Sequence, residues 1–276
     1  MSADTQNLKE QQYANGSKYN ARIQLHALCS TNRYPWPLWV FDQLAKRPCQ
    51  KILELGCGTG LLWQVNGVRV PPDWEITLSD FSAGMLDGTR SNLAKLPVRF
   101  QFEVIDAQAI PYPAESFDLI IANHMLYHLP DRERGLGEIA RVLKPGGALY
   151  ATTIGQRNMV ELKQIVREFT GNTHYETAIG AVERNFSLDN GLAQLERYFA
   201  GIRTVYYENS LQIKEEQLLT DYLLSLNGLH PDLEVLAPER AAEFSARMAE
   251  VIHNQGMIEV TTESGMFIAV KAPLQL

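Results

Sequence analysis

The sequence predicts an α/β fold: a doubly wound, mostly parallel sheet, with N-terminal helices before it and a helical cap inserted between late strands. Three observations carry that expectation. Between Lys51 and Thr153, five short apolar runs alternate with amphipathic stretches, the pattern of strands joined by right-handed helical crossovers. One run, Phe117 to Ala122, is almost continuously apolar, which suits a strand buried on both faces of a parallel sheet. The first run ends in Gly56-Cys57-Gly58-Thr59-Gly60, a turn from strand into helix.

Each element follows from local chemistry. Lys51 to Leu55 is a strand, and Leu61 to Val68 a short helix broken by Pro71-Pro72-Asp73. Glu75 to Ser79 is the second strand. Ser82 can cap the next helix, which carries Met85, Leu86, Leu93 and Leu96 at roughly helical spacing. Val98 to Ile105 and Phe117 to Ala122 are the third and fourth strands. Asp131 to Leu143 places Leu136, Ile139, Ala140 and Leu143 on one helical side, and Pro145-Gly146-Gly147 turns the chain into a fifth strand, Ala148 to Thr153. Beyond it the pattern predicts a helix near Met159–Thr170, a loop carrying His174 and Tyr175, and a helix over Leu188–Phe199. A strand over Ile202–Tyr207 and helices near Lys214–Leu226 and Pro238–Gln255 follow. Met257 to Val270 reads as a hairpin turning at Glu263-Ser264-Gly265. Three segments result: an N-terminal helical cap over 1–45, a ligand-binding core over 46–155, and 156–276, which completes the sheet and carries a helical lid at about 214–255.

Composition narrows the function. The chain has 276 residues, 45% hydrophobic and 21% charged, the balance of a globular protein rather than a disordered one. Its 32 acidic and 25 basic residues give a net charge of −7 with no Lys/Arg cluster, which weighs against nucleic acid as a partner. No apolar stretch reaches the roughly 18 residues of a membrane span, and Met1 to Gln12 is polar with no apolar signal region. The expected setting is cytoplasmic. The three cysteines, Cys29, Cys49 and Cys57, form no C-x-x-C pair, so neither a disulfide framework nor a structural zinc site is expected.

The richest segment is the glycine turn. Its spacing is G-x-G-x-G; the dinucleotide fingerprint would need a glycine where Leu61 stands. Two acids stand at the ends of the next two strands. Asp80 is placed to accept both hydroxyls of a ribose, and Asp106 to accept from an exocyclic amine such as that of adenine. Either alone is ordinary, since Asp often caps helices; at consecutive strand ends behind a glycine loop they point to a nucleoside.

With these residues in view, the segment from about Lys51 to Thr153 resembles the seven-stranded, S-adenosylmethionine-dependent methyltransferases. Leu53-Glu54-Leu55-Gly56-Cys57-Gly58-Thr59-Gly60 is similar to their first motif, and Leu78-Ser79-Asp80-Phe81-Ser82 to their ribose loop. Ile105-Asp106-Ala107-Gln108-Ala109-Ile110-Pro111 is similar to their adenine loop. Phe117 to Asn123 and Arg141 to Gly147 complete the set. The resemblance is closest to the small-molecule branch that includes ubiquinone-type enzymes. It implies a Rossmann-like sheet with a reversed last strand, S-adenosylmethionine as cofactor, and methyl transfer to a small organic acceptor at O, N or C.

It also implies cofactor contacts by Glu54, Gly56, Cys57, Gly58, Asp80, Phe81, Met85, Asp106, Ala107, Gln108 and Asn123. An N-terminal Tyr19 and a basic Arg33, with Arg22 as another candidate, are expected over the methionine end. The acceptor side falls at His124, Tyr127 and His128, just past the fourth strand, as general base or as positioning groups. Trp36 and Trp39 read as core. The residues after Asn123 lack the Pro-Pro-aromatic signature of amino-directed nucleic-acid enzymes, the cysteine of pyrimidine-C5 enzymes and the acidic cluster of metal-assisted ones, so no metal is called for. Two alternatives stay open: an RNA or protein side chain as acceptor, or a partner subunit that binds the cofactor without turnover. Oligomeric state leaves no mark in the sequence.

Overall fold

The computed structural model describes residues 17–45, 50–230 and 232–272. The chain forms two compact units, each assembled from three separate segments.

The larger unit comprises residues 36–155, 185–207 and 264–276 and holds the sheet. Its elements are α2 (Trp36–Leu44), β1 (Lys51–Leu55), α3 (Leu61–Asn66), β2 (Glu75–Asp80), α4 (Ala83–Leu93), β3 (Phe100–Val104), β4 (Phe117–Asn123), α5 (Arg132–Val142), β5 (Leu143–Ile154), α8 (Gly191–Leu195), β6 (Gly201–Tyr207) and β9 (Ser264–Val270). The seven strands lie in the order β3-β2-β1-β4-β5-β9-β6. β1 to β5 run parallel, while β9 runs antiparallel between β5 and β6. The α/β expectation and the reversed last strand are both present.

Strand periodicity builds two apolar layers, one on each face. Leu53, Ile120, Leu149, Ala151 and Phe267 join a cluster with Leu136 and Ile139 of α5. Their neighbours Ile52, Leu119, Ile121, Tyr150 and Ile268 join a second cluster with Phe41 of α2, Trp63 of α3 and Leu86 of α4.

The smaller unit comprises residues 1–35, 156–184 and 208–263. It contains α1 (Ser17–Cys29), α6 (Val160–Thr170), the bulk of α7 (His174–Asn185), α9 (Glu216–Ser225), α10 (Ala241–Gln255) and a two-stranded antiparallel ribbon of β7 (Ser210–Ile213) and β8 (Ile258–Thr261). Its own core is formed by Leu25, Leu162, Val166, Tyr175, Leu219, Tyr222, Leu223, Phe244 and Met248. The stretch 1–45, read as one cap, is thus divided: α1 belongs to the helical unit and α2 to the sheet unit.

Several expectations are corrected. The hairpin over Met257–Val270 does not form, because β8 pairs with β7 whereas β9 pairs with β5 and β6. Burial explains the separation: β9 is buried at five consecutive positions, as a central strand requires, while β8 alternates buried and exposed, as a ribbon does. The expected loop at His174 is the start of α7, where the Asn172 side-chain oxygen accepts the His174 N–H at 3.0 Å. The helix over Leu188–Phe199 shortens to Gly191–Leu195. Strand β7 leaves no mark in the sequence, because four residues are too few for periodicity to show.

Candidate nucleoside site at the carboxyl edge of the sheet

Gly56, Gly58 and Gly60 all adopt positive φ, of 68°, 57° and 76°. This left-handed backbone lets the chain turn sharply out of β1 and into α3. A Cβ at Gly56 would stand 2.9 Å from Met125 Cβ, and one at Gly60 would stand 2.8 Å from Thr89 Cγ2. A side chain is therefore barred at Gly56 and Gly60 by conformation and by space, and is disfavoured at Gly58 by conformation.

Asp80, at the end of β2, reaches across to this loop. One carboxylate oxygen accepts the Gly58 N–H at 3.1 Å, and the other accepts the Ser82 N–H at 2.9 Å. Ser82 caps α4 as expected, its hydroxyl accepting the Met85 N–H at 3.3 Å. Burial raises the Asp80 pKa, and these backbone donors pull it back only in part.

Glu54 lies behind the loop and is 2% exposed. One oxygen accepts from the Trp63 indole and the other from the Asn123 amide at 3.1 Å. Burial pushes its pKa up to about 7, against 4.5 for a free carboxyl, and the neighbouring Asp80 charge adds to the rise. Asn123 also accepts from the Thr152 hydroxyl at 3.3 Å, and that hydroxyl accepts the His124 N–H at 3.0 Å. The link holds His124 at φ 49°, an uncommon conformation for a residue with a side chain.

Asp106, just past β3, accepts the Gln108 N–H at 2.8 Å and its side-chain amide at 3.0 Å, both on Oδ1. Among the described residues nothing donates to Oδ2. Ala107 is 4% exposed and Met85 3%, so Met85 meets the site from inside the core rather than from an open face. Phe81 is half-buried. Burial also drives the Cys57 thiol well above its usual range, which makes it a packing group rather than a nucleophile.

Beyond Asn123, the rings of His124 and Tyr127 lie 6.4 Å apart and those of Tyr127 and His128 4.6 Å. Trp36 of α2 stands 5.3 Å from His124, 5.0 Å from Trp39 and 5.1 Å from Tyr207 at the end of β6. Trp36 and Trp39 pack on the core, as expected, but stay half-buried and extend it to the sheet edge as an aromatic wall. The sequence did not mark that wall, because Tyr207 meets the tryptophans only once β6 reaches its place. The Tyr19 side chain lies outside the described residues. Arg33 is an exposed residue of the helical unit, and Arg22, in the same unit, donates to the Ser225 carbonyl at 3.4 Å.

The residues fit a nucleoside without phosphates at the loop. The Gly58 amide is committed to a protein carboxylate, and two acids stand where a pyrophosphate would bring more negative charge. Ribose hydroxyls and a cationic sulfonium suit the same surroundings.

A model of the methyltransferase domain matches residues 53–151, which span the glycine loop, both acids and His124 to His128. Residues 53–151 form a methyltransferase domain. These residues carry the parallel strands β1 to β5 of the seven-stranded sheet. Similar proteins include the ubiquinone/menaquinone biosynthesis C-methyltransferase UbiE of Bordetella parapertussis, 33% identical over 114 residues, which are 41% of this chain and 44% of that protein. The demethylmenaquinone methyltransferase of Symbiobacterium thermophilum is 33% identical over 117 residues, 41% of this chain and 47% of that one. The chain therefore spans less than half the length of these relatives. Among solved structures, the YcgJ protein of Bacillus subtilis aligns with a TM-score of 0.58 and 17% identity, over 86% of this chain and 98% of that one. Phosphoethanolamine N-methyltransferase 2 of Haemonchus contortus, in complex with S-adenosyl-L-methionine, aligns with a TM-score of 0.61 and 16% identity, over 99% and 60%. Among the described residues no helix is long and apolar enough to cross a membrane.

Proposed function

We propose that the chain binds S-adenosylmethionine on the glycine loop of its methyltransferase domain and transfers the methyl group to a small organic acceptor. The observation that carries this reading is the Asp80 carboxylate, hydrogen-bonded to the loop at Gly58 and backed by the buried Glu54. In this reading Asp80 accepts the ribose hydroxyls and Asp106 the adenine amine through Oδ2. Gly56, Cys57 and Gly58 give the ligand backbone rather than side chain. Phe81, Met85, Ala107 and Gln108 line the nucleoside, and Glu54 and Asn123 support the methionine part; Tyr19 and Arg33 are assigned to its outer end.

Bound S-adenosylmethionine supplies a methyl on a sulfonium, which already has a good leaving group. The protein therefore mainly aligns the acceptor and excludes water. His124, Tyr127 and His128 are assigned to acceptor positioning, with His128 or His124 taking a proton when the acceptor must lose one. The wall of Trp36, Trp39 and Tyr207 favours a flat, apolar acceptor, as do names in the UbiE group of relatives. The UbiE and demethylmenaquinone enzymes match over the domain alone, so the acceptor assignment rests on this wall and on analogy.

The test offers the protein S-adenosylmethionine with phenols, amines and carboxylates of low molecular weight, and separately with RNA and protein fractions. Formation of S-adenosylhomocysteine with the small molecules supports the reading. Turnover confined to RNA or protein fractions contradicts it.

A further inference from the structure

Between β3 and β4 the chain runs from residue 105 to 116 without regular secondary structure, and this loop carries Asp106 at its start. Its backbone groups must still find partners. Some are met within the loop, as when the Ala109 N–H donates to the Asp106 carbonyl at 2.8 Å, and others are met on α5. At the last turn of that helix, the Arg141 guanidinium donates to the carbonyls of Ile110 at 2.9 Å and Tyr112 at 2.7 Å. Two further Arg141 bonds, at 2.7 and 2.8 Å, join it to both oxygens of Glu138. Glu138 in turn accepts the Ile110 N–H at 2.9 Å. At the first turn, the Asp131 N–H donates to the Gln108 side-chain oxygen at 3.0 Å, while the amide end of Gln108 bonds Asp106. Midway, a Cβ on Gly135 would stand 2.5 Å from Leu129 Cδ1 and 3.7 Å from the Ala107 carbonyl, so the helix lies close against the loop.

We propose that α5 is a splint for the Asp106 loop, and that Arg141 and Glu138 are positioning residues for the adenine end of the cofactor. This rests on the cofactor reading above. An exposed Arg–Glu pair at (i, i+3) adds little stability by itself. Here the planar fork spans two carbonyls of an otherwise irregular loop, a geometry that lysine cannot copy. Holding the loop in its binding shape lowers the ordering cost of taking the ligand. Neither Arg141 nor Glu138 bonds Asp106 itself; both act through the loop backbone at Ile110 and Tyr112.

Calorimetric titration with S-adenosylhomocysteine and with adenosine, well below each variant's thermal transition, tests this. Arg141→Gln should weaken both ligands by the same factor, about tenfold. Arg141→Lys should recover only part. Glu138→Gln, a milder change that keeps an acceptor for Ile110, should cost both ligands several-fold, and it carries the test if Arg141→Gln does not fold. Asp106→Asn combined with Arg141→Gln should cost no more than the worse single change within about twofold, because the two act through one loop. A variant with a lowered thermal transition but wild-type affinity would reduce the pair to a structural brace and overturn the proposal. Fully additive losses would overturn it as well. Should the wild-type chain itself bind neither ligand, the cofactor reading fails, and the proposal with it.

Discussion

Asp80 is where the chemistry of the glycine loop is decided. Its oxygens hold the turn together through Gly58 and Ser82 while keeping lone pairs for a ligand. Gly58→Val should abolish binding of S-adenosylhomocysteine yet leave the sheet unit folded, since a β-branched residue is ill suited to φ 57° at a point where ligand meets backbone. Retained affinity, or collapse of the thermal transition, would contradict that. Glu54 gives a pH signature. The folded chain holds its proton up to about 7, the unfolded chain only to 4.5, so between those values the folded state binds more protons. The stability contribution of Glu54 therefore falls as pH rises through that window and levels off above it. Urea midpoints at pH 5 and 8 should show a drop that is smaller in Glu54→Gln; equal drops would contradict the assignment. At this scale the sequence was informative where a residue announces its position. Asp80 and Asp106 end strands behind a glycine turn. Thr152 and Arg141 carry no such mark, because their partners lie 28 to 31 positions away and meet only in the folded sheet.

Among the elements, β9 shows what periodicity leaves undecided. A run of apolar residues after a turn reads equally as the second arm of a hairpin or as a strand inserted into a sheet. The insertion depends on β5 and β6, more than 50 residues upstream, offering open edges on both sides. Phe267 tests the consequence. It is 1% exposed and meets Phe186 with ring centroids 5.8 Å apart. Phe267→Ala should destabilise the chain by roughly 3–5 kcal/mol, as expected for a large core truncation. A loss under about 1 kcal/mol in urea unfolding would place β9 at a solvated edge instead. The strands β1, β2 and β4 were legible because each is a buried run with a helix after it, whereas β3 has no fully buried position and leads into an irregular loop. Helix α7 was not, since the cap that starts it is a single Asn side chain and His174 and Tyr175 resemble loop residues.

For the whole molecule, the sheet unit holds the glycine loop, both acids and the three acceptor-side candidates, whereas the helical unit holds none of them. We assign acceptor selection to the helical unit, in residues 214–255 as the sequence suggested. Leu219, Leu223, Phe244 and Met248 form that unit's core, so the assignment is best tested at exposed or half-buried positions rather than by deletion. Substituting those positions on α9 and α10 should change which acceptor turns over while leaving affinity for S-adenosylhomocysteine within a few-fold of wild type. Parallel loss of both would return the segment to a purely structural role. We assign the loop between β1 and α3, with Asp80 behind it, to a nucleoside. Calorimetric titration of S-adenosylhomocysteine into the wild-type chain and Asp80→Ala tests it most directly. The wild type should show saturable binding at one ligand per chain, and the variant, with a charge-assisted bond of roughly 1.5–3 kcal/mol removed, should bind about ten- to a hundredfold more weakly. No binding by the wild type, or the same dissociation constant for both proteins, would contradict it.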